Sequence, residues 1–528
     1  MSRPTIKRQT GGKISRSSWI TLAIISCVGL ISMFADTMIL PAIPDFIKDF
    51  KISYNASSWI LASFLITGAV MTPIAGRLSD IYGKKKILLI IFGIYAIGIS
   101  FAALSTNFTS LLIARIVQGV GVSMFPIAFG IIRDTFTQEK LAVAQGIFSS
   151  MFSAGAVIGV AVGGTIIKNF GWHATFLVVI PIAIALLAII SKFIYVKVDQ
   201  VISTTVCDKN VEFCCRFIHV RKDILLSDNS NSSSTSNINK NKSTIDIMGA
   251  ITLSVTIISF LVALQFTQTI NSAADNVLPT VIVFGVAAII SLLFFVKAEK
   301  KSALPLIDLK LLANKILLPA NIINMVVGIT ALMVVYQTIP ILVRSPQPLG
   351  FGGDALSIAN IQLPYMIISL IVAIASGFII SRFGNLKPTL SGIIICIVGF
   401  SLLFVSHSAE ILITISLAIL ATGLSLTQIG SINIVLVSTP KQSNGISLAM
   451  TVLLYLIGTS VGPVVAGIFM QMYQATIKGI VGSFPSSQSY TLIFLTAILM
   501  SIVSIVLVIT VIKKMTAMSR GRGITNST

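Results

Sequence analysis

The feature that most limits how this chain can fold is a row of apolar stretches, each about 20 residues long and nearly free of charge. They recur fourteen times between residues 19 and 512. In hydrocarbon each backbone N–H and C=O must find its partner inside the segment, so such stretches read as membrane-spanning helices. Only 10% of the 528 residues are charged, against about 25% in a soluble domain. The first run, from Trp19, is too long for the core of a secretory leader. No small-residue cleavage site follows it before Pro41, so it reads as a span.

A net charge of +20 could suggest a nucleic-acid partner, but the placement of the charges excludes it. When loops are numbered alternately, the two tails and the even loops, with adjoining helix ends, hold 31 of the 37 Lys and Arg. The odd loops hold five, Lys48, Lys51, Lys168, Arg344 and Lys478, and only Arg115 lies within a span. That imbalance is expected of an even number of helices with both termini cytoplasmic. The five cysteines and three histidines show no metal-ligand spacing and support no redox chemistry. No clustered ligands or folded soluble domain point to a membrane enzyme or sensor, and no re-entrant segment points to a channel.

The chain also repeats itself. Gly76, Gly83 and Lys86 recur as Gly377, Gly384 and Lys387 at a spacing of 301 residues, and Gly155, Gly159 and Gly164 recur as Gly458, Gly462 and Gly467 at 303. Two homologous six-helix halves follow, 19–196 and 317–512. Between them lie a polar linker at 197–246, two inserted spans at 247–297 and an amphipathic interfacial segment at 298–316; tails occupy 1–18 and 513–528. The expected fold is an all-α membrane protein of two six-helix bundles plus two inserted helices, the paired-repeat plan of secondary transporters.

Four motifs in order carry a family resemblance. "GRLSDIYGKKK" at 76–86 resembles the signature loop of the major facilitator superfamily, and "RIVQGVGVSMFP" at 115–126 resembles its fourth-helix motif. "GAVIGVAVGG" at 155–164 is similar to its fifth-helix glycine motif, and "DTMILPAIP" at 36–44 to the end of the first helix in its drug exporters. Fourteen spans resemble its fourteen-helix drug:proton antiporter branch. The resemblance implies a cell-membrane transporter, not an enzyme, that exports small lipophilic or weakly cationic compounds by proton antiport. It implies no cofactor, no metal and no nucleic acid; the partners are substrate, protons and bilayer, and a monomer is expected. An importer or facilitator on the same fold remains the alternative, because Val160 stands where the glycine motif usually has proline.

The residues themselves suggest roles. Gly76, Asp80, Gly83 and Lys84 fit a gating loop, with glycines allowing a helix of the other half to approach and Asp80 meeting a helix N-terminus or a cation. Gly155, Gly159, Gly163 and Gly164 form a smooth stripe for close helix packing or for gating. Asp36 is the only acid within a span as the spans are drawn from sequence. Asp36 and Arg115 each sit about eight residues from the outer end of their spans, hence level at roughly 12 Å depth. A charge inside a bilayer is by default functional. If the pair parts during transport, burial favours the protonated carboxyl and renewed pairing releases the proton; if it never parts, the pair is structural. Gln118, Tyr336, Gln337, Tyr365, Gln428 and Asn433 are candidate cavity residues, aromatics and neutral amides suited to lipophilic or weakly cationic molecules.

Overall fold

The computed structural model describes residues 16–136, 138–193, 247–267, 277–301, 309–439, 444–478 and 482–524. The expected linker at 197–246 lies outside the described residues, as does part of the interfacial segment.

The first half begins with α1 (Arg16–Met38) and α2 (Ile43–Phe50), joined by a 3-10 turn at Leu40–Ala42. Pro41 and Pro44 lack the N–H that an uninterrupted helix needs, so the span breaks here without reversing. Next come α3 (Tyr54–Tyr82) and α4 (Lys84–Ala103). Then α5 (Phe108–Gly119) and α6 (Met124–Thr135) flank a second 3-10 turn, and α7 (Gln138–Phe170) and α8 (His173–Phe193) close the half. The inserted pair is α9 (Ile247–Phe266) and α10 (Val277–Lys301), followed by the short α11 (Leu309–Leu312).

The second half starts with α12 (Leu317–Thr330), a π-helical segment Ala331–Thr338 and α13 (Ile339–Arg344), which together make one span. It continues through α14 (Ala355–Phe383), α15 (Leu386–Val405), α16 (Glu410–Ser438) and α17 (Asn444–Met472). A small hairpin of β1 (Gln474–Thr476) and β2 (Ser483–Pro485) leads to α18 (Ser487–Ile524). Among the described residues thirteen helical stretches are long and apolar enough to cross a membrane, and α9, with its apolar core Ile251–Leu264, is the shorter fourteenth. The face rich in Lys and Arg is called inner here and the opposite face outer.

The repeat is visible in the geometry. Both α3 and α14 run for 29 residues and end in a glycine of positive φ, Gly83 at 94° and Gly384 at 76°. A side chain is strained in that region, so glycine ends each helix at the same point of the repeat. Likewise α7 lies against α1 through Gly155 and Gly159, while α17 lies against α12 and the π-helical segment through Gly458 and Gly462.

The inserted pair sits at a seam between the halves. Leu253, Ile257 and Leu261 of α9 pack with Ala62, Phe64 and Ile66 of α3 and with Met450 and Leu453 of α17. Ser291 of α10 donates to the Thr252 carbonyl of α9 at 2.8 Å. One sequence boundary needs correction. The last inserted span, ended at 297 from its hydropathy, continues as helix to Lys301 and leaves Glu299 only 4% exposed. Asp36 is therefore not the only carboxylate that the helical bundle shields.

Candidate functional site

Asp36 and Arg115 meet. Asp36 lies just before α1 gives way to its 3-10 turn, and Arg115 lies one turn before the same change at the end of α5. Arg115 Nη1 stands 3.7 Å from Asp36 Oδ1, an ionic contact too long for a direct hydrogen bond. The guanidinium has other supports. Its Nε donates to the Ile60 carbonyl of α3 at 3.1 Å, and its Nη1 donates to Gln118 Oε1 at 2.8 Å. Its plane lies 4.3 Å from the Phe64 ring centroid, a favourable cation–π placement. Arg115 is 1% exposed and the Asp36 side chain 19%. The cation is thus fixed in protein, while the Asp36 side chain stays partly exposed with its Oδ1 buried.

Close helix packing fixes that position. A Cβ at Gly119 would stand 2.4 Å from the Phe64 carbonyl oxygen, and one at Gly98 would stand 2.5 Å from the Gln118 nitrogen. Only bare backbone lets α5 lie this close to α3 and α4. Asp36 Oδ1 and Gln118 Nε2 are buried without a hydrogen-bond partner among the described residues. On the far side of Asp36, Thr37 donates to the Met33 carbonyl and to the Ala156 carbonyl of α7 at 2.8 and 3.2 Å.

The remaining sequence candidates fall into separate groups. Gln118 belongs to the ionic pair. Tyr336 meets Tyr365 edge-on at 6.3 Å, with its hydroxyl 3.9 Å from Met366 Sδ. Gln428 lies beside Tyr455, a second-half tyrosine of the same apolar cluster as Tyr336 and Tyr365. Gln337 instead donates across the halves to Ser57 Oγ at 3.4 Å, and Asn433 bonds the Ile429 carbonyl of its own helix at 2.9 Å. Gln362, one of the uncharged polar residues that the sequence places within the second-half spans, is fully buried and donates to the Val335 carbonyl at 2.6 Å. That carbonyl belongs to the π-helical segment, a local widening that periodicity does not reveal and that often marks functional sites.

The loop residues act mainly within their own half. Lys84 pairs with Asp134 of α6, and Lys85 donates to the Ser191 carbonyl of α8 at 2.9 Å. No described atom lies within 4 Å of where a Cβ would stand at Gly76 or Gly83. The close approach attached to these glycines in the sequence reading is thus not made in this conformation. The Asp80 side chain lies outside the description.

The halves are instead joined at the outer face. Asp45 of α2 pairs with Arg344 of α13, and Lys168 of α7 stands 3.0 Å from Asp354. Sequence reading missed both contacts because four isolated loop charges carry no spacing signal. Asp354 also caps α14, accepting from the Ser357 backbone N–H at 2.8 Å and from its hydroxyl at 3.0 Å. Chiefly that backbone hydrogen bond, then the Lys168 ammonium, pulls its carboxyl down from 3.8 to about 2. A depressed carboxyl contributes stability above its unfolded pKa and loses it as pH falls through the folded one. Loss of the Asp354 charge therefore does not part the pair over the working range of a cell. Asp354→Asn should lower the outer-closed share, read by spin labels at Phe170 and Leu349, by the same factor at about pH 8 and at about pH 5, both above the two values. An effect of that substitution that fades on mild acidification would contradict this.

Two repeated six-helix halves, spans throughout and one ionic pair shielded inside them define a polytopic membrane transporter. The chain belongs to the Major Facilitator Superfamily, whose family model matches residues 25–296, just over half its length. It is 25% identical over 418 residues to "Multidrug resistance protein 3" of Bacillus subtilis, covering 78% of this chain and 72% of the relative. It is 24% identical to "Multidrug efflux pump LfrA" of Mycolicibacterium smegmatis, covering 87% and 82%. Among solved structures, a nucleoside transporter NupG mutant overlays with a TM-score of 0.58 at 12% identity, covering 93% of this chain and 99% of the other. An auto-inhibited POT family peptide transporter overlays with a TM-score of 0.58 at 14% identity, covering 92% and 96%. These overlays concern fold alone. The chain is an integral cell-membrane transporter and not an enzyme.

Proposed function

We propose that the protein exports small lipophilic or weakly cationic compounds in exchange for protons by alternating access. The observation that carries the reading is the contact of Asp36 with Arg115 at 3.7 Å, with no hydrogen-bond donor to Asp36 Oδ1 among the described residues. A carboxylate held by charge alone has an oxygen free to take a proton, while the guanidinium keeps its bonds to Ile60 and Gln118. Protonation cancels the attraction and frees α1 from α5. Deprotonation restores it. Aromatic rings and neutral amides around Tyr336, Tyr365 and Gln428 offer apolar faces and hydrogen bonds without a fixed charge, which suits the substrate class. The names of the relatives, one a multidrug resistance protein and one a multidrug efflux pump, support the same reading.

The test is uptake of tetraphenylphosphonium and of ethidium into everted membrane vesicles energised by respiration. Accumulation that collapses with a protonophore is the expected result. Uptake that ignores the protonophore, or that runs only down the substrate gradient, rejects proton-coupled export.

A further inference from the structure

Three of the five outer-side cations converge on one cavity. It holds about 710 Å3 and lies where the halves meet at the outer face. Lys48, Lys51 and Tyr54 line it from the first half, and Arg344, Gln471 and Gln474 from the second. No carboxylate lines it among the described residues. Asp45, the nearest acid to Arg344, is engaged with that guanidinium, and Asp49 accepts from Trp172 Nε1 at 3.0 Å. Lys48 and Lys51 have no ion-pair partner among the described residues. Lys51 is also the one described non-glycine residue with positive φ, 52°, held there at the end of α2.

Topology does not account for this concentration, because short outer loops are usually poor in Lys and Arg. Two unpaired ammonium groups beside amide and phenol donors make an anion-binding surface, since ammonium groups act as point charges toward phosphate and carboxylate. Part of the wall is apolar, with Ile47, Ile341 and Phe484. We propose that this outer cavity binds an amphiphilic organic anion, a phosphate headgroup on an apolar body. The head lies between Lys48 and Lys51, and the body lies against the apolar wall. Because both halves line the cavity, such a ligand bridges them while Asp45 and Arg344 remain paired, and so favours the outer-closed arrangement.

The site can be tested without any transport measurement, so its outcome is independent of the proposed export function. Octyl phosphate is titrated into the full-length protein in phosphatidylcholine nanodiscs by calorimetry, with empty nanodiscs subtracted. One saturable site is expected, weakened about tenfold or more in a Lys48→Gln/Lys51→Gln variant, since two charge-assisted contacts are lost. Lys478→Gln, at an exposed outer lysine that does not line the cavity, should leave binding unchanged. The same titration in phosphatidylglycerol nanodiscs separates sources. A weakened apparent affinity there identifies a bilayer headgroup as the occupant, and an unchanged one identifies a soluble anion. Absence of saturable binding, equal binding to wild type and double variant, or equally tight binding of neutral 1-octanol overturns the proposal. Elution of the variants as monodisperse protein on size exclusion excludes misfolding as the cause.

Discussion

Replacing Asp36 with asparagine is expected to abolish concentrative transport while leaving the protein folded. One pH unit is worth about 1.4 kcal/mol per proton, which sustains about tenfold accumulation of an exchanged substrate. If Asp36 carries the proton, Asp36→Asn loses that whole factor, and substrate settles at equal concentrations on both sides. The fold should survive. Removing one partner of a buried pair is usually costly because the remaining charge is stranded. Arg115, however, keeps the Ile60 carbonyl, Gln118 Oε1 and the Phe64 ring. Asparagine matches the carboxylate in shape and leaves no cavity. Arg115→Lys should behave differently: a lysine retains the charge but cannot serve Ile60, Gln118 and Asp36 together from one planar fork, so both transport and stability should fall. The measurement is tetraphenylphosphonium flux in proteoliposomes under an imposed pH gradient, alongside counterflow exchange without a gradient. Accumulation by Asp36→Asn equal to wild type would exclude Asp36 as the carrier.

The ionic pair was legible because scarcity makes it so. One acid and one base remain when charges are removed from the ends of the spans, and counting residues from the outer loops puts both at one depth. The spans were legible for the same reason, since hydrocarbon tolerates few alternatives to an uncharged helix. Breaks within spans were not. Hydropathy averages over the 3-10 turns at Leu40–Ala42 and Val120–Ser123 and over the π-helical segment Ala331–Thr338, yet these interruptions set the positions of Asp36, Arg115 and Gln362. Glu299 escaped because it stands just past the last apolar residue, where sequence cannot tell solvent from a neighbouring helix. Lys84 and Lys85 read as markers of the cytoplasmic side. In the fold they also tie α4 to α6 and α8, and nothing in a run of lysines names their partners.

The glycine stripe of α7 is the clearest case in which sequence gives the residue and only structure gives its function, and it leads to a paired experiment. A Cβ at Gly155 would stand 2.2 Å from the Leu30 carbonyl oxygen, one at Gly159 would stand 2.5 Å from that of Phe34, and one at Gly163 would stand 2.5 Å from that of Met38. These three face α1 within the first half. Gly164, adjacent in sequence, faces the other half: its Cβ would stand 2.5 Å from Ala359 Cβ and 3.0 Å from the Ala355 carbonyl oxygen of α14. A valine at Gly159 must therefore push α7 off α1 in every conformation, at a cost at or above the usual 1–3 kcal/mol of overpacking, roughly. Low yield and early thermal aggregation are expected. A valine at Gly164 meets its obstacle only while the outer ends of α7 and α14 touch, so the half itself keeps its stability. Its cost falls on the outer-closed state alone, and about 1–2 kcal/mol there shifts a two-state balance by about 5- to 30-fold. Spin labels at Lys51 and Gln474, on opposite sides of the outer cavity, should report a longer mean distance in Gly164→Val and an unchanged one in whatever folded Gly159→Val can be recovered. The same distance change in both variants, or in neither, would show that the stripe packs as a single surface and that α7 does not divide its face between the two halves.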